Sequence, residues 1–237
     1  AYEIRPRDWS SDVCSSDLKE TVGEDMPEFL SSLISNYGHD GIHTFYVEKG
    51  AKVRYIEKHY GEGDPGTTGK RLMNPTTIVH LKEDAEMIME TSQISGIDDT
   101  LRITEADLCD RAKLEIHDSI MTTGDQNADA QFTADLNGED CACNIVSRTV
   151  ARDHSKQHYT STLNGNNRCA GHTECDSILM DQAYVLATPQ LSAATTEASL
   201  IHEAAIGKIA GEQLIKLMTL GLTEEEAEEQ IISGFLK

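Results

Sequence analysis

Gln131-Phe-Thr-Ala-Asp-Leu-Asn-Gly-Glu-Asp-Cys-Ala-Cys-Asn-Ile-Val-Ser-Arg-Thr-Val150 decides the fold. Two runs of alternating residue type flank the turn dipeptide Asn137-Gly138. Alternation with period 2 sends successive side chains to opposite faces of an extended strand, and Asn-Gly supplies the tight turn between strands. The same layout recurs outward in both directions. Short alternating runs cover Ala85–Glu90, Leu101–Ile103, Lys113–Ile116, Gln157–Leu163, Glu174–Met180 and Tyr184–Ala187. Ser95-Gly96, Thr123-Gly-Asp125 and Asn164-Gly-Asn166 punctuate them. Strands of about five residues, repeated without helices between them, define an all-β sandwich, barrel or solenoid. No strict sequence repeat chooses among the three. Ala, Ser, Thr and Asn recur inside the runs, as narrow stacked coils require, and few aromatic residues are present to fill a wider core. Both features favour a solenoid.

Upstream, Ile42–Val47 and Lys52–Lys58 also alternate and are rich in β-branched and aromatic types. Residues 61–75 carry Gly61, Gly63, Pro65, Gly66, Gly69 and Pro75 and read as a loop. Met26, Phe29, Leu30, Leu33 and Ile34 recur at helical spacing before Gly38, which predicts an N-terminal helical segment over 19–39. Residues 1–18 are Ser/Asp-rich, have neither period, and resemble translated adapter sequence. They are set aside from fold reasoning, and the chain then reads as a fragment lacking part of its N-terminal region.

Downstream, Ile206, Ile209, Ala210, Leu214, Leu217 and Met218 form a helical stripe. Gly221 is placed for a left-handed C-cap, with Leu222 and Leu217 as its apolar pair. Thr223-Glu-Glu-Glu226 spells a capping box with carboxylates in the first turn, where the helix dipole favours them. Ala227, Ile231 and Phe235 give the second helix its apolar face. The expected organisation is a β core over 40–205 and a helical hairpin over 206–237.

The 237 residues carry a net charge of −21, and 38% of them are hydrophobic but only 5% aromatic. Two basic and four acidic residues lie in 1–18, so the remainder keeps −19. Binding to nucleic acid or to an anionic membrane surface needs clustered Lys and Arg, so this balance argues against both. No stretch approaches the roughly 20 apolar residues of a membrane span, and no secretory signal is visible. Six cysteines outside any compact framework point to a reducing, cytoplasmic setting. Gly66-Thr-Thr-Gly-Lys70 lacks the spacing of a phosphate-cradling loop.

The chemistry concentrates near the C-terminus, in Cys169-Ala-Gly-His-Thr-Glu-Cys-Asp-Ser177 and Leu200-Ile-His-Glu-Ala-Ala-Ile-Gly-Lys208. A thiolate at Cys175 is a soft metal ligand and can hold sulfane sulfur, although a lone strand Cys is more often a small buried hydrophobe. His202 and Glu203 pair an imidazole with a carboxylate, which suits Fe(II) and equally suits a salt-linked structural cap. Cys169, His172 and Cys175 have metal-clasp spacing. On a regular strand, however, His172 faces away from both thiols, so the clasp does not close. Cys141 and Cys143 share one strand face and read as core filler. Cys109 has no partner in sequence.

The order Glu174-Cys-Asp-Ser177, then His202-Glu-Ala204, then two helices resembles the core domain of the SufB/SufD family of iron–sulfur cluster assembly scaffolds. The resemblance covers roughly 40–237 and is strongest over 165–237. It implies a right-handed parallel β-helix with a C-terminal helical hairpin, and Cys175, His202 and Glu203 as cluster-building residues. It also implies a transient iron–sulfur cluster as cargo, a SufC-type ATPase docking on 206–237, a second SufB/SufD-type chain and a sulfur donor protein. Flavin binding enters only as a family trait. The chain is then expected not to be an enzyme itself. SufB-type sequences tend to carry an acidic residue two positions before the His, where this chain has Leu200. SufB, SufD and a single ancestral scaffold therefore all stay open. The alternatives are a β-helix enzyme acting on polysaccharide, against which the acidic, aromatic-poor composition argues, and a metal-free interaction module.

Overall fold

Alternation along the strands becomes burial in the computed structural model of the chain. The backbone is described at residues 14–22, 26–35, 39–62 and 70–236, and side chains at 40–61 and 70–236. The strands are β1 (Cys14–Val22), β2 (Met26–Ser35), β3 (His39–Val47), β4 (Lys52–Glu62), β5 (Leu72–Met73), β6 (Thr76–Leu81), β7 (Glu86–Ser95) and β8 (Asp99–Leu108). They continue as β9 (Lys113–Thr122), β10 (Asn127–Leu136), β11 (Cys141–Ala151), β12 (Lys156–Gly165), β13 (Cys169–Leu179), β14 (Tyr184–Ala193) and β15 (Ala198–Gly207). Helices α1 (Gly211–Met218) and α2 (Glu224–Phe235) follow.

Every strand pairs in parallel with the strand one coil away. One sheet runs β1-β3-β5-β8-β10-β12-β14, with β6 bridging β3 and β8, and the other runs β15-β13-β11-β9-β7-β4-β2. Cys141 aligns with Cys169 and Lys156 with Tyr184, one coil of 28 residues in each case. The expected mainly β fold, a parallel β-helix ending in a helical pair, is therefore what the structure has. Along β10 each second residue is buried. In-register inward residues stack into columns such as Val47, Leu81, Leu108 and Leu136, all fully buried. Each such side chain contributes about 1.5–3 kcal/mol on leaving water.

The turns repeat as regularly as the strands. Asp84, Arg111 and Asp140 have positive φ at one edge, and Asp153 and Asp181 have it at the other. Asp tolerates this region because its short side chain can bond locally. Successive turns are tied by backbone bonds, with the Asp84 N–H donating to the Asp110 carbonyl and the Arg111 N–H to the Glu139 carbonyl. They are also tied by opposite charges, Arg111 to Asp84 and Arg168 to Asp140. Gly138 is needed for closeness: a Cβ there would lie 2.0 Å from the Cys109 carbonyl carbon.

Two expectations fail. The helix expected over 19–39 is replaced by strand in the described parts, since Lys19–Val22 closes β1 and Met26–Ser35 forms β2. Those strands pair with β3 and β4, whose edges would otherwise present unpaired N–H and C=O groups. Five apolar residues at helical spacing are a weak preference that such pairing overrides. Part of 1–18 is in β1 as well, and residues 1–13 lie outside the described residues. At the other end β15 runs through Gly207. Ile206 therefore ends a strand, in register with Ser177, rather than starting the helical stripe.

The hairpin otherwise follows its sequence signals. Gly221 has φ +101°, and both bonds of the Thr223–Glu226 capping box are present. Helix α2 buries Ala227 and Ile232. Arg152 donates to Glu229 at 2.6 Å, and the Ser119 hydroxyl donates to the Leu236 carbonyl at 3.1 Å, which seats α2 on the sheet containing β9 and β11. Helix α1 buries no residue. No described helix is long and apolar enough to cross a membrane.

Candidate functional site at the C-terminal coils

Strands β13 and β15 are the last two of their sheet, paired so that Thr173 meets His202, Glu174 meets Glu203 and Cys175 meets Ala204. Parity then sorts the chemistry. Cys169, Thr173, Cys175 and Ser177 point into the lumen and are buried, whereas His172, Glu174 and Asp176 face outward and are half-buried. Opposite Thr173, His202 has the inward parity, and Glu203 is exposed on the outer face. Cys175 and His202 thus share one face on neighbouring strands, two residues apart in register. Glu203 is on the other face. The expected trio is not one cluster, and as the parity argument requires, His172 stands apart from Cys169 and Cys175.

Cys175 is fully buried beneath the terminal coil. It continues an inward column of Glu57, Thr91, Asp118, Ser147 and Cys175. Burial pushes its thiol up to about 11, with Asp176 and Asp118 adding to the rise and Ser177 opposing it. At neutral pH the group is therefore a thiol, and it reacts only if a metal or a base takes its proton. Burial likewise raises Cys141 to about 11 and Cys143 to about 12. Both belong to the apolar core, which fits their reading as filler. Cys109 is half-buried beside an open groove at one turn edge.

His202 has a buried Nδ1 with no hydrogen-bond partner among the described residues. That nitrogen is uncommitted two register positions from the Cys175 thiol.

On the outer face a second group escaped the sequence reading. One ring nitrogen of His172 and one carboxylate oxygen each of Glu174 and Glu203 lie within 4.8 Å of one another. His172 Nδ1 is 2.7 Å from Asn144 Oδ1. Burial raises the Glu174 pKa, and the neighbouring Asp176 raises it further. The signal was available: residues 172 and 174 share a parity, and one coil of about 28 residues brings 203 beside 174.

The fold is that of a parallel β-solenoid protein with a helical tail, carrying a buried thiol and an imidazole with an uncommitted nitrogen in its last coils. More specifically, this chain belongs to the SufBD family: the family model described as "SUF system FeS cluster assembly, SufBD core domain" matches residues 35–235. Its relatives include an iron–sulfur cluster assembly SufBD family protein of Methanothermobacter thermautotrophicus, 30% identical over 94% of this chain and 52% of the relative. Another, from Methanocaldococcus jannaschii, is 32% identical over 80% of this chain and 60% of the relative. The iron–sulfur cluster assembly protein SufB of Bacillus subtilis is 34% identical over 39% of this chain and 21% of its own length. The chain spans about half to three-fifths of the first archaeal relatives.

Proposed function

We propose that the chain is a scaffold subunit of a SUF-type assembly complex, accepting sulfur and iron and building a cluster at a subunit interface. The observation that carries this is the placement of the buried Cys175 thiol and the uncommitted His202 Nδ1 on one face of neighbouring strands, two register positions apart in the last coils. A partner scaffold chain is supported by the terminal coil itself. Among the described residues no strand lies beside the outer edges of β14 and β15, and Tyr184, Leu186, Leu191, Ile201 and Ile206 are exposed there. Open edges and exposed apolar side chains together favour addition of another chain. The cluster is cargo, and the chain performs no bond-making turnover alone; ATP is hydrolysed by a separate SufC-type subunit. Because Cys175 is covered, sulfur reaches it only when the terminal coil shifts.

Anaerobic reconstitution with ferrous iron and sulfide tests the reading. The parent chain is expected to develop cluster absorbance, Cys175→Ala to lose it, His202→Ala to lose most of it, and Cys141→Ala and Cys143→Ala to keep it. Undiminished loading of Cys175→Ala sinks the assignment.

Helix α1 supports the ATPase contact. Ile215 is 63% exposed and Leu220, just beyond the helix, 76%. Exposed aliphatic side chains on a short helix with no buried face are available to a partner. Ile215→Asp combined with Leu220→Asp is expected to abolish pull-down of a SufC-type ATPase while the circular dichroism spectrum stays unchanged. Retained binding would move the docking surface elsewhere.

A further inference from the structure

We propose that His172, Glu174 and Glu203 form a binding site for a divalent first-row transition metal on the outer face of the second sheet, separate from the lumen pair Cys175 and His202. This goes beyond the scaffold reading and does not rest on it.

The backbone builds the site. Neighbouring strands lie about 4.8 Å apart, and side chains two residues apart on one strand share a face. Glu174 and Glu203 are in direct register on β13 and β15. His172 precedes Glu174 by two residues on the same half-buried outer face. Like charges placed directly opposite each other across a strand pair destabilise the sheet. Arg148, aligned with Asp176 on the neighbouring strand, and the His172 ring offset part of that repulsion at Glu174. A metal ion supplies two positive charges at the point where the carboxylates converge.

His172 provides the second, independent observation. Its Nδ1 is 2.7 Å from the side-chain oxygen of Asn144, which sits in register one coil earlier. An amide oxygen only accepts, so Nδ1 carries the hydrogen and Nε2 keeps the lone pair that a metal takes. Metal-ligating histidines are typically held this way, with the non-ligating nitrogen donating to a fixed acceptor that sets the tautomer and the ring orientation. One ring nitrogen of His172 and one oxygen of each carboxylate lie within 4.8 Å of one another. Metal bonds of about 2.0–2.2 Å require somewhat closer donors, a distance that two flexible glutamate side chains close by rotation.

One imidazole and two carboxylates are borderline-to-hard donors. They favour Fe(II), Mn(II), Co(II) or Zn(II) and disfavour soft Cu(I). Three protein ligands at a partly exposed surface leave coordination positions for water or an incoming ligand. Cys175 faces the opposite side of β13, so one strand presents nitrogen and oxygen donors outward and a thiol inward.

Titration with Co(II) alone separates the two faces, read as the visible absorbance of coordinated cobalt and by calorimetry. One equivalent is expected to bind the parent chain. His172→Gln and Glu174→Gln should each weaken binding at least tenfold, and Asn144→Ala about tenfold through the lost ring anchor. Cys141→Ala and Cys143→Ala, core positions outside both groups, should bind as the parent does. Circular dichroism checks that each variant is folded, and near-isosteric Glu174→Gln serves if His172→Gln is not. The proposal is overturned if the parent binds no Co(II), if His172→Gln or Glu174→Gln binds like the parent, or if Cys175→Ala abolishes binding.

Discussion

Asp118→Ala is expected to cost about 3–5 kcal/mol of folding stability, because it strands a guanidinium inside the solenoid. Arg102 on β8 reaches across the lumen to Asp118 on β9, and both are almost completely buried. Thr91 donates to Asp118 Oδ1 at 2.6 Å and Ser147 to Oδ2 at 3.3 Å, so three groups hold the carboxylate in place. One Arg102 nitrogen already has no hydrogen-bond partner among the described residues. Without that carboxylate the guanidinium would lose its one direct ionic partner, keeping the Thr91 hydroxyl as a hydrogen-bond acceptor and only the weaker attraction of the buried Glu57. The double change Arg102→Met with Asp118→Leu should recover most of the loss, since it removes both charges and keeps the volume. Urea unfolding followed by circular dichroism measures both. A loss under 1 kcal/mol in the single variant would mean that water enters the lumen at this level.

The strands were legible because every second residue is inward, and the inward set is apolar or small over most of the core. Their lengths were less so. The sequence marks runs of about five residues where the ladders span about ten, because inward Thr91, Asp118, Ser147 and Ser161 break the apolar alternation without breaking the strand. The coil of 28 residues leaves no visible repeat, since stacking fixes parity rather than identity. One inward column reads Val53, Met87, Leu114, Cys143, Gly171 and Leu200. The segment 26–35 misled because Met26, Phe29, Leu30, Leu33 and Ile34 do satisfy helical spacing. What decides there is pairing with β4, a contact between distant residues that no local window contains.

The candidate site shows the same division. That Cys175 and His202 fall on neighbouring strands was readable from their separation of roughly one coil. Glu203 looked like a partner of His202 because the two are adjacent, yet adjacency in a strand means opposite faces. The group His172, Glu174 and Glu203 is invisible to any motif, because its members come together only through the register of β13 with β15. The lumen charges have no motif either: Glu57 and Asp118 come inside only through the columns that the register builds.

Glu57 makes the fold acid-sensitive in a window that can be stated in advance. Burial by itself would raise its carboxyl pKa. The imidazoles of His59 and His43 and the Arg102 guanidinium outweigh that and bring it from 4.5 to about 2. His59 Nε2 lies 2.7 Å from Glu57 Oε1 and His43 Nδ1 lies 3.8 Å away. The His59 contact is close without being a well-aligned hydrogen bond, so its contribution is mainly charge attraction. A carboxyl whose folded pKa is lower than its unfolded value stabilises the fold above the unfolded pKa and loses that contribution as pH falls through the folded one. The contribution is therefore complete above about pH 4.5 and is lost between pH 4.5 and about 2. A shift of this size corresponds to about 3 kcal/mol. Urea unfolding of the parent at pH 7, 4.5 and 3 should show stability falling most steeply over the last interval. Glu57→Gln should be less stable than the parent at pH 7 and show a shallower fall below pH 4.5, because an amide has no proton to gain. Equal acid slopes for parent and variant would assign the acid sensitivity to the surface carboxylates of the turns, and would leave the buried Glu57 cluster without a net ionic contribution to the fold.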